Sequence, residues 1–318
     1  MPAGDVSRSV SSPLVSVIVP TYDRPERLRR AVDAVAAQTY EPVELVVVDD
    51  HSPVPASEVL EDVDSAAFAA LEVVRHGRNR GANAARNTGI EAATGELLAF
   101  LDDDDRWEPE KLQRQVDALA AANDDVGVVY TGARYLYPDG ERTIAGTASG
   151  DVTTAILTGA TISEFSAMLV RSSVLASAGL PDERFPSWQD REWMLRLSLH
   201  CEFLAVPEPL TIRHWEGEDR IGHDYRRRRD VSFPLYVEKH RDLAREYDLE
   251  APFLAALLET LVMDAAQTGH YGDARRLALR AILTEPTRGT PWLYLLACLG
   301  GGFTYRPARA LMARVQSR

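Results

Sequence analysis

Four consecutive aspartates, Asp102 to Asp105, follow the short apolar run Leu97 to Leu101. Like charges a few ångströms apart repel and raise one another's pKa unless a cation compensates them. A divalent cation would do so. On an extended backbone Asp102 and Asp104 project alike, which gives oxygen ligands for a Mg2+ or Mn2+ that also holds phosphate oxygens. Two other apolar runs end in polar residues as well, the first in Thr21, Tyr22 and Asp23 and the second in Asp49 and Asp50. One carboxylate at a strand end is commonly a helix cap. Three polar strand ends in one chain read better as a single ligand site, of the kind that binds a nucleotide diphosphate. A calcium loop fits poorly, because Trp107 stands where its glycine is needed and Gln113 where its glutamate is needed. A solvated acidic turn is the plain alternative.

Composition narrows the classes further. The 318 residues carry 35 basic against 48 acidic side chains, a formal charge of -13, which argues against bulk binding to nucleic acid. A local basic patch stays open. Cys201 and Cys298 lie far apart with no zinc-ligand spacing, so a disulfide framework is not indicated and a reducing cytoplasm fits. Nearly all the basic residues are arginine, and with the acidic surplus this suits a high-salt habitat. The first dozen residues show no secretion signal. The apolar run Trp292 to Phe303 contains three glycines and falls short of the ~20 residues that a membrane span needs. Neither GxGxxG nor GxxxxGK[ST] is present, which weighs against a dinucleotide oxidoreductase.

The elements that must position these residues follow from periodicity. Leu14 to Val19 predicts a strand and Glu26 to Ala37 a helix; EPVELVVVDD predicts a second strand, and LEVV a short helix. Ala82 to Ala93 predicts a helix, Leu97 to Leu101 a strand, Glu108 to Ala122 a helix and VGVVY a strand. The order is that of an α/β fold with a mainly parallel sheet and helices on both faces. Beyond Gly140 the pattern loosens. It suggests strands around TISEFSAMLV, a helix over Asp190 to Leu199, and separate strands CEFLAV and LTIRHW. Helices then run over Phe233 to Tyr247 and Ala251 to Gly269, followed by a pair split at Pro286.

The motifs VSVIVPTYDRPERL, ELVVVDDHS, GRNRGANAARNTGI, GELLAFLDDDDRWEPEKL and WQDREWMLRL occur in this order. Together they resemble the family 2 glycosyltransferases of the GT-A fold over roughly Val15 to Trp215. The resemblance implies transfer of a sugar from a nucleotide-diphosphate donor to an acceptor, with inversion at the anomeric carbon. The family usually carries Asn at the position of Asp23, a mild departure that keeps a short polar turn residue.

By position, the resemblance implies that Pro20, Thr21 and Tyr22 line the base and ribose pocket and that Asp50 accepts a hydrogen bond from the base. Arg86 would face the base or the phosphates, or form a structural salt bridge. Asp102 and Asp103 would approach the ribose and metal, with Asp104 the direct metal ligand. Asp190, at the start of a helix, is the implied base; Gln189 replaces the glutamate that often precedes it. An N-cap role is the alternative. Trp188 offers a platform for a sugar face or packs in a core. His214 would complete the metal shell, stabilise the leaving phosphate, or serve structure alone. Asp219, Arg220 and His223 would sit in a loop over the donor.

The expected organisation is a flexible tail over 1–12, a GT-A domain over 13–230 with a donor half 13–105 and an acceptor half 106–230, and a helical region over 231–318. Expected partners are a divalent cation, a nucleotide sugar with UDP as first choice, and a glycan or lipid-linked acceptor. Nucleic acid is not expected. The arginine-rich and apolar tail, including Arg226 to Arg229, would dock a lipid-linked acceptor or the inner membrane face, or else pack on the protein. A metal-dependent phosphotransferase and an inactive sugar-nucleotide-binding scaffold are the rival readings.

Overall fold

A computed structural model describes residues 12–137, 140–214 and 224–308. The strands are β1 (Val15–Thr21), β2 (Val43–Asp49), β3 (Ala70–Arg75), β4 (Leu97–Phe100), β5 (Asp105–Trp107), β6 (Val126–Tyr137), β7 (Gly140–Ile144), β8 (Met168–Arg171) and β9 (Glu202–His214). The helices are α1 (Pro25–Ala36), α2 (Ala56–Val59), α3 (Ala82–Ala92), α4 (Lys111–Ala121), α5 (Thr153–Leu157), α6 (Leu175–Ala178), α7 (Gln189–Ser198), α8 (Tyr225–Arg227), α9 (Phe233–Glu246), α10 (Glu250–Gln267), α11 (Tyr271–Thr284) and α12 (Gly289–Ala297). The chain divides into two compact units. One comprises Met1–Gly150, Ser163–Leu180 and His200–Trp215; the other Asp151–Ile162, Pro181–Leu199 and Glu216–Arg318. The expected loop residues Asp219, Arg220 and His223, and nearly all of the expected N-terminal tail, lie outside the described residues.

The first unit holds one sheet in the order β3-β2-β1-β4-β8-β6-β9-β5, with β7 beside β6. It is parallel through β3, β2, β1 and β4 and mixed beyond. Every residue of β1 and β2 is buried, as expected of strands covered on both faces. Helix α1 turns Leu28, Ala31, Val32 and Val35 inward, a stripe at helical spacing, and Pro25 opens it where a missing N–H is harmless. Strand β1 parts from β4 after the pair Ile18–Phe100, and because β2 and β4 lie on opposite sides of β1, the divergence leaves a crevice at the carboxyl ends of the strands. Pro20 sits past that point, where its missing N–H costs no ladder bond to β4.

Three expectations for the elements are corrected. LEVV belongs to strand β3, not to a helix, because its backbone pairs with β2 from Glu44 to Asp49 and its valines suit an edge strand; so short an apolar run has no decisive period. CEFLAV and LTIRHW form one strand, β9, since an irregularity opposite Thr131–Ala133 absorbs Pro207 and Pro209. Of TISEFSAMLV only Met168 onward is strand, and Phe165–Ala167 is a 3-10 turn.

The second unit is helical, with Trp193, Tyr236, Phe253, Leu257 and Leu261 fully or almost fully buried. Glu192 of α7 is also inaccessible to solvent. Its carboxylate meets the Arg196 guanidinium at 2.8 Å, Lys239 Nζ at 2.8 Å and His240 Nε2 at 3.1 Å, so it ties α7 to α9. Of the expected basic patch, Arg228 pairs with Asp264 at 2.5 Å and Arg229 with Asp273 at 2.8 Å, which gives both a structural task in this unit.

Burial alone would raise the pKa of Glu192, but hydrogen bonds from His240, Arg196 and Lys239 outweigh it and hold the group at about 2, from a usual value of 4.5. The bound proton is therefore favoured in the unfolded chain. The stability that this carboxylate contributes is complete above pH ~4.5 and is lost as pH falls toward ~2, a total of roughly 3 kcal/mol. Glu192→Gln should lower the melting temperature at neutral pH and flatten the acid limb of the stability profile. An unchanged profile, measured by calorimetry across that window, would remove the carboxylate from the account of this unit.

Candidate functional site

The aspartate run does not continue as an extended strand. Asp102 to Asp105 make a tight turn, closed by the Asp105 N–H donating to the Asp102 carbonyl at 3.0 Å, before β5 begins. A turn points neighbouring side chains apart, and the four carboxylates accordingly have different surroundings. Oxygens of Asp102, Asp104 and Asp105 lie within 4.8 Å of one another. Asp102 and Asp104 thus converge as expected, though through a turn rather than an extended segment, and Asp105 joins them.

Asp103 turns the other way. Its oxygens accept from Thr21 Oγ1 at 2.8 Å and from Arg24 Nη1 at 3.0 Å, and the residue is buried. It thereby fastens the turn to the end of β1 and the start of α1. Burial pushes its pKa up to about 6, against the opposing pull of Arg24 and Thr21.

Arginines balance the cluster. Arg86, reaching from α3, donates to Asp102 at 2.5 Å and lies 3.9 Å over the ring of Phe165. Burial would raise the Asp102 pKa, but Arg86, then Arg213 and Arg24, reverse this and hold it below its usual value. Asp105 pairs with Arg213 at 3.2 Å, in the register that sets β5 against β9. Burial nevertheless lifts its pKa to about 6; Arg213 Nε hydrogen-bonds Oδ1 and makes an ionic contact to Oδ2, both at 3.2 Å. Asp104 is held most loosely, with only ionic contacts to Arg24 at 3.6 Å and Arg27 at 3.9 Å.

Three hard oxygen donors that converge, one of them loosely held, fit a cation such as Mg2+ or Mn2+. Arg213 also pairs with Glu164, so the strand residue beside His214 is already committed to carboxylates. Successive strand residues face opposite sides, and His214 is not one of the converging groups.

A short segment that sequence reasoning passed over supports this turn. Ser166 Oγ accepts from the Asp102 N–H at 3.1 Å, and the Ser166 carbonyl accepts from Trp107 Nε1 at 2.6 Å. Trp107 in turn lies under the buried Lys111 Nζ, 3.9 Å from the ring centroid. Asp105, Glu164, Phe165, Ser166 and Arg213 were all missed as site residues. For Asp105 the run of four aspartates was the available signal; for the segment 164–166 there was none, because its place depends on β8 lying between β4 and β6.

Just past β1, Tyr22 is 46% exposed, and Asp23 adopts a left-handed φ of 54°, which Asp and Asn tolerate better than most residues. Asp50 is buried, with one oxygen taking the Arg80 N–H at 2.8 Å and His76 Nδ1 at 2.7 Å and the other taking the Gly81 N–H at 2.7 Å. These bonds fix the loop that enters α3, where Gly81 has a φ of 93° that suits only glycine.

Trp188, Gln189 and Asp190 lie in the helical unit, whereas Thr21, Asp50, Arg86 and the aspartates lie in the sheet unit. Trp188 is the N-cap residue of α7, and Asp190 falls in its first turn, accepting the Arg191 N–H at 2.7 Å. Trp188 is buried, packs edge-on to Tyr236 at 6.0 Å and holds a left-handed φ of 63°. For so bulky a residue that conformation costs on the order of 1–2 kcal/mol and must be enforced by its packing.

Known proteins resemble the chain in the sequence of its first half and in its fold. The profile of glycosyl transferase family 2 matches residues 16–165. Glycosyltransferase AglE of Haloferax volcanii is 36% identical over 130 residues, 40% of this chain and 42% of that protein. An uncharacterized glycosyltransferase of Nostoc sp. is 40% identical over 116 residues, 36% of this chain and 35% of that protein. The matches thus span well under half the length of these relatives. Among solved structures, TarS 1-349 of S. aureus in complex with UDP-GlcNAc superposes with a TM-score of 0.62 at 17% identity, covering 92% of this chain and 91% of that one. The mannosyltransferase PcManGT from Pyrobaculum calidifontis in complex with GDP-Man and Mn2+ gives 0.59 at 22% identity, covering 91% and 86%. These likenesses establish the GT-A type of fold, and residues 16–165, just under half of the chain, match glycosyl transferase family 2.

Proposed function

We propose that the protein is an inverting glycosyltransferase, moving a sugar from a nucleotide-diphosphate donor to a hydroxyl of a glycan or lipid-linked acceptor on the cytoplasmic side of the cell. The observation that carries this reading is the convergence of Asp102, Asp104 and Asp105 at the crevice beside the ends of β1 and β4. UDP-sugars are the first donors to try. TarS in complex with UDP-GlcNAc and PcManGT with GDP-Man support a nucleotide sugar without choosing the base.

In this reading Tyr22, exposed just past β1, and Thr21 bound the pocket for base and ribose. Asp50 and Asp103 act mainly by shaping it, since contacts within the protein already engage their oxygens. Asp104, with Asp102 and Asp105, would hold a Mg2+ or Mn2+, which when bound supplies positive charge to the diphosphate. Arg86, anchored on Asp102 and Phe165, keeps a fixed cation beside that position. Asp190 takes the proton of the acceptor hydroxyl as its oxygen attacks the anomeric carbon. The bond from that carbon to the diphosphate breaks in the same displacement, so configuration inverts. The assignment of Asp190 rests on the motif WQDREW, with Trp188 and Gln189 beside it as acceptor contacts.

One observation favours a second reading. Arginines balance the aspartates in the protein itself, so a donor could bind here without a cation, as in a sugar-nucleotide-binding scaffold. Thermal shift with UDP-, GDP- and dTDP-sugars separates the two. Stabilisation by one nucleotide class that needs Mn2+ and disappears in Asp104→Ala is expected. Equal stabilisation without the cation, and no sugar transfer, would favour the scaffold. Asp190→Asn should retain donor binding and lower kcat by ~10²–10⁴-fold, the usual span for loss of a general base; unchanged turnover would assign the base elsewhere. Ser166→Ala should weaken Mn2+ binding by ~10–100-fold in calorimetry, as loss of groups that orient metal ligands generally does. Wild-type affinity in that variant would leave Ser166 a packing residue only.

A further inference from the structure

The last 43 residues of the chain, 276–318, contain seven arginines and one glutamate, in a protein whose formal charge is -13. The one glutamate, Glu285, is paired with Arg288 at 2.7 Å. Helix α12 carries no charged residue, yet only Pro291 and Ala297 of its nine positions are buried. Its packed side is well made. Arg275 donates to the carbonyls of Cys298 and Leu299, both at 3.0 Å, and Tyr305 lies against Tyr271 and Tyr294. Leu296 of α12 is 62% exposed, Leu299 60% and Phe303 95%, and on α11 Leu283 is 82% exposed. Arg276, Arg280 and Arg306 are exposed on the same elements.

We propose that this face of α11, α12 and the residues up to 308 is a docking surface for an anionic lipid membrane. Among the described residues no helix is long and apolar enough to cross a bilayer. A nine-residue helix is ~14 Å long, about half the hydrocarbon thickness, so it lies along the interface instead. Leucines and an aromatic ring enter the acyl boundary while arginines meet lipid phosphates. A second copy of the chain is a poorer occupant, because a two-fold contact through this face would bring the arginine rims together. Residues 309–318 are poorer too, since they add three arginines and no carboxylate. The inference does not depend on sugar transfer, and its test needs no donor.

The full chain should sediment with vesicles of phosphatidylcholine mixed with phosphatidylglycerol and not with phosphatidylcholine alone, with binding that falls as salt rises. The double variant Leu296→Glu, Phe303→Glu should lose vesicle binding by more than ~10-fold, since it places charge in the acyl boundary. Both positions are exposed, so its melting temperature should match the wild type. Arg276→Gln, Arg280→Gln and Arg306→Gln, which leave the apolar face intact, should each weaken binding about fivefold. Equal binding to neutral and anionic vesicles, or to neither, would overturn the proposal. So would a dimer in lipid-free buffer, seen by light scattering, that the double variant abolishes.

Discussion

Placing four carboxylates in one turn at the edge of a buried sheet is the constraint on which the sheet unit depends. Their mutual repulsion would open the turn if nothing opposed it. The fold answers with fixed cations drawn from three directions: Arg24 at the start of α1, Arg86 on α3 and Arg213 on β9. Each of these arginines requires its own element to be docked, so charge balance in the turn and assembly of the sheet are linked. A guanidinium suits this work because it keeps its charge when buried and offers several donors in one plane.

The same logic explains why the carboxylates differ. Asp103 is used up in joining β1, α1 and the turn, and Asp105 is buried against Arg213. Asp102 is shared with Arg86, while Asp104 keeps only longer ionic contacts. A run of identical residues thus divides into anchors and candidate ligands through the geometry of a tight turn. The resemblance of the motifs to a known family implies Asp104 as a ligand but also sends Asp103 toward the ribose and metal; the division is a property of the contacts.

Much of the sheet unit was legible in the sequence because its buried strands are continuous runs of Val, Ile and Leu, and each ends in residues that would make no sense in a core. Thr21, Asp50 and Asp102 to Asp105 could be picked out on those grounds alone. The edge strand β3 was misread because a half-exposed edge shows no clean alternation. The segment 164–166 was invisible because its importance comes from a neighbour relation between distant strands, which no local pattern encodes. In the helical unit the periodicity of α9 to α12 was plain. What it could not tell was that Glu192 is buried among Arg196, Lys239 and His240, so that a residue of the WQDREW motif has a structural task of its own.

The support that Ser166 and Arg213 give to the aspartate turn sets a lower limit on any minimal fragment. The turn comes from residues 102–105, yet its props come from 60 to 110 positions later, after the chain has left the sheet unit once for 151–162 and again for 181–199. A fragment cut where the sequence motifs for the donor thin out, near residue 110, would keep the carboxylates with Arg24 and Arg86 and discard Arg213 and Ser166. Such a piece would be an acidic loop on an unfinished sheet, with β4 exposing an edge where β8 belongs. The compact sheet unit is therefore a discontinuous one, and an engineer exchanging donor specificity between relatives would have to graft across both excursions.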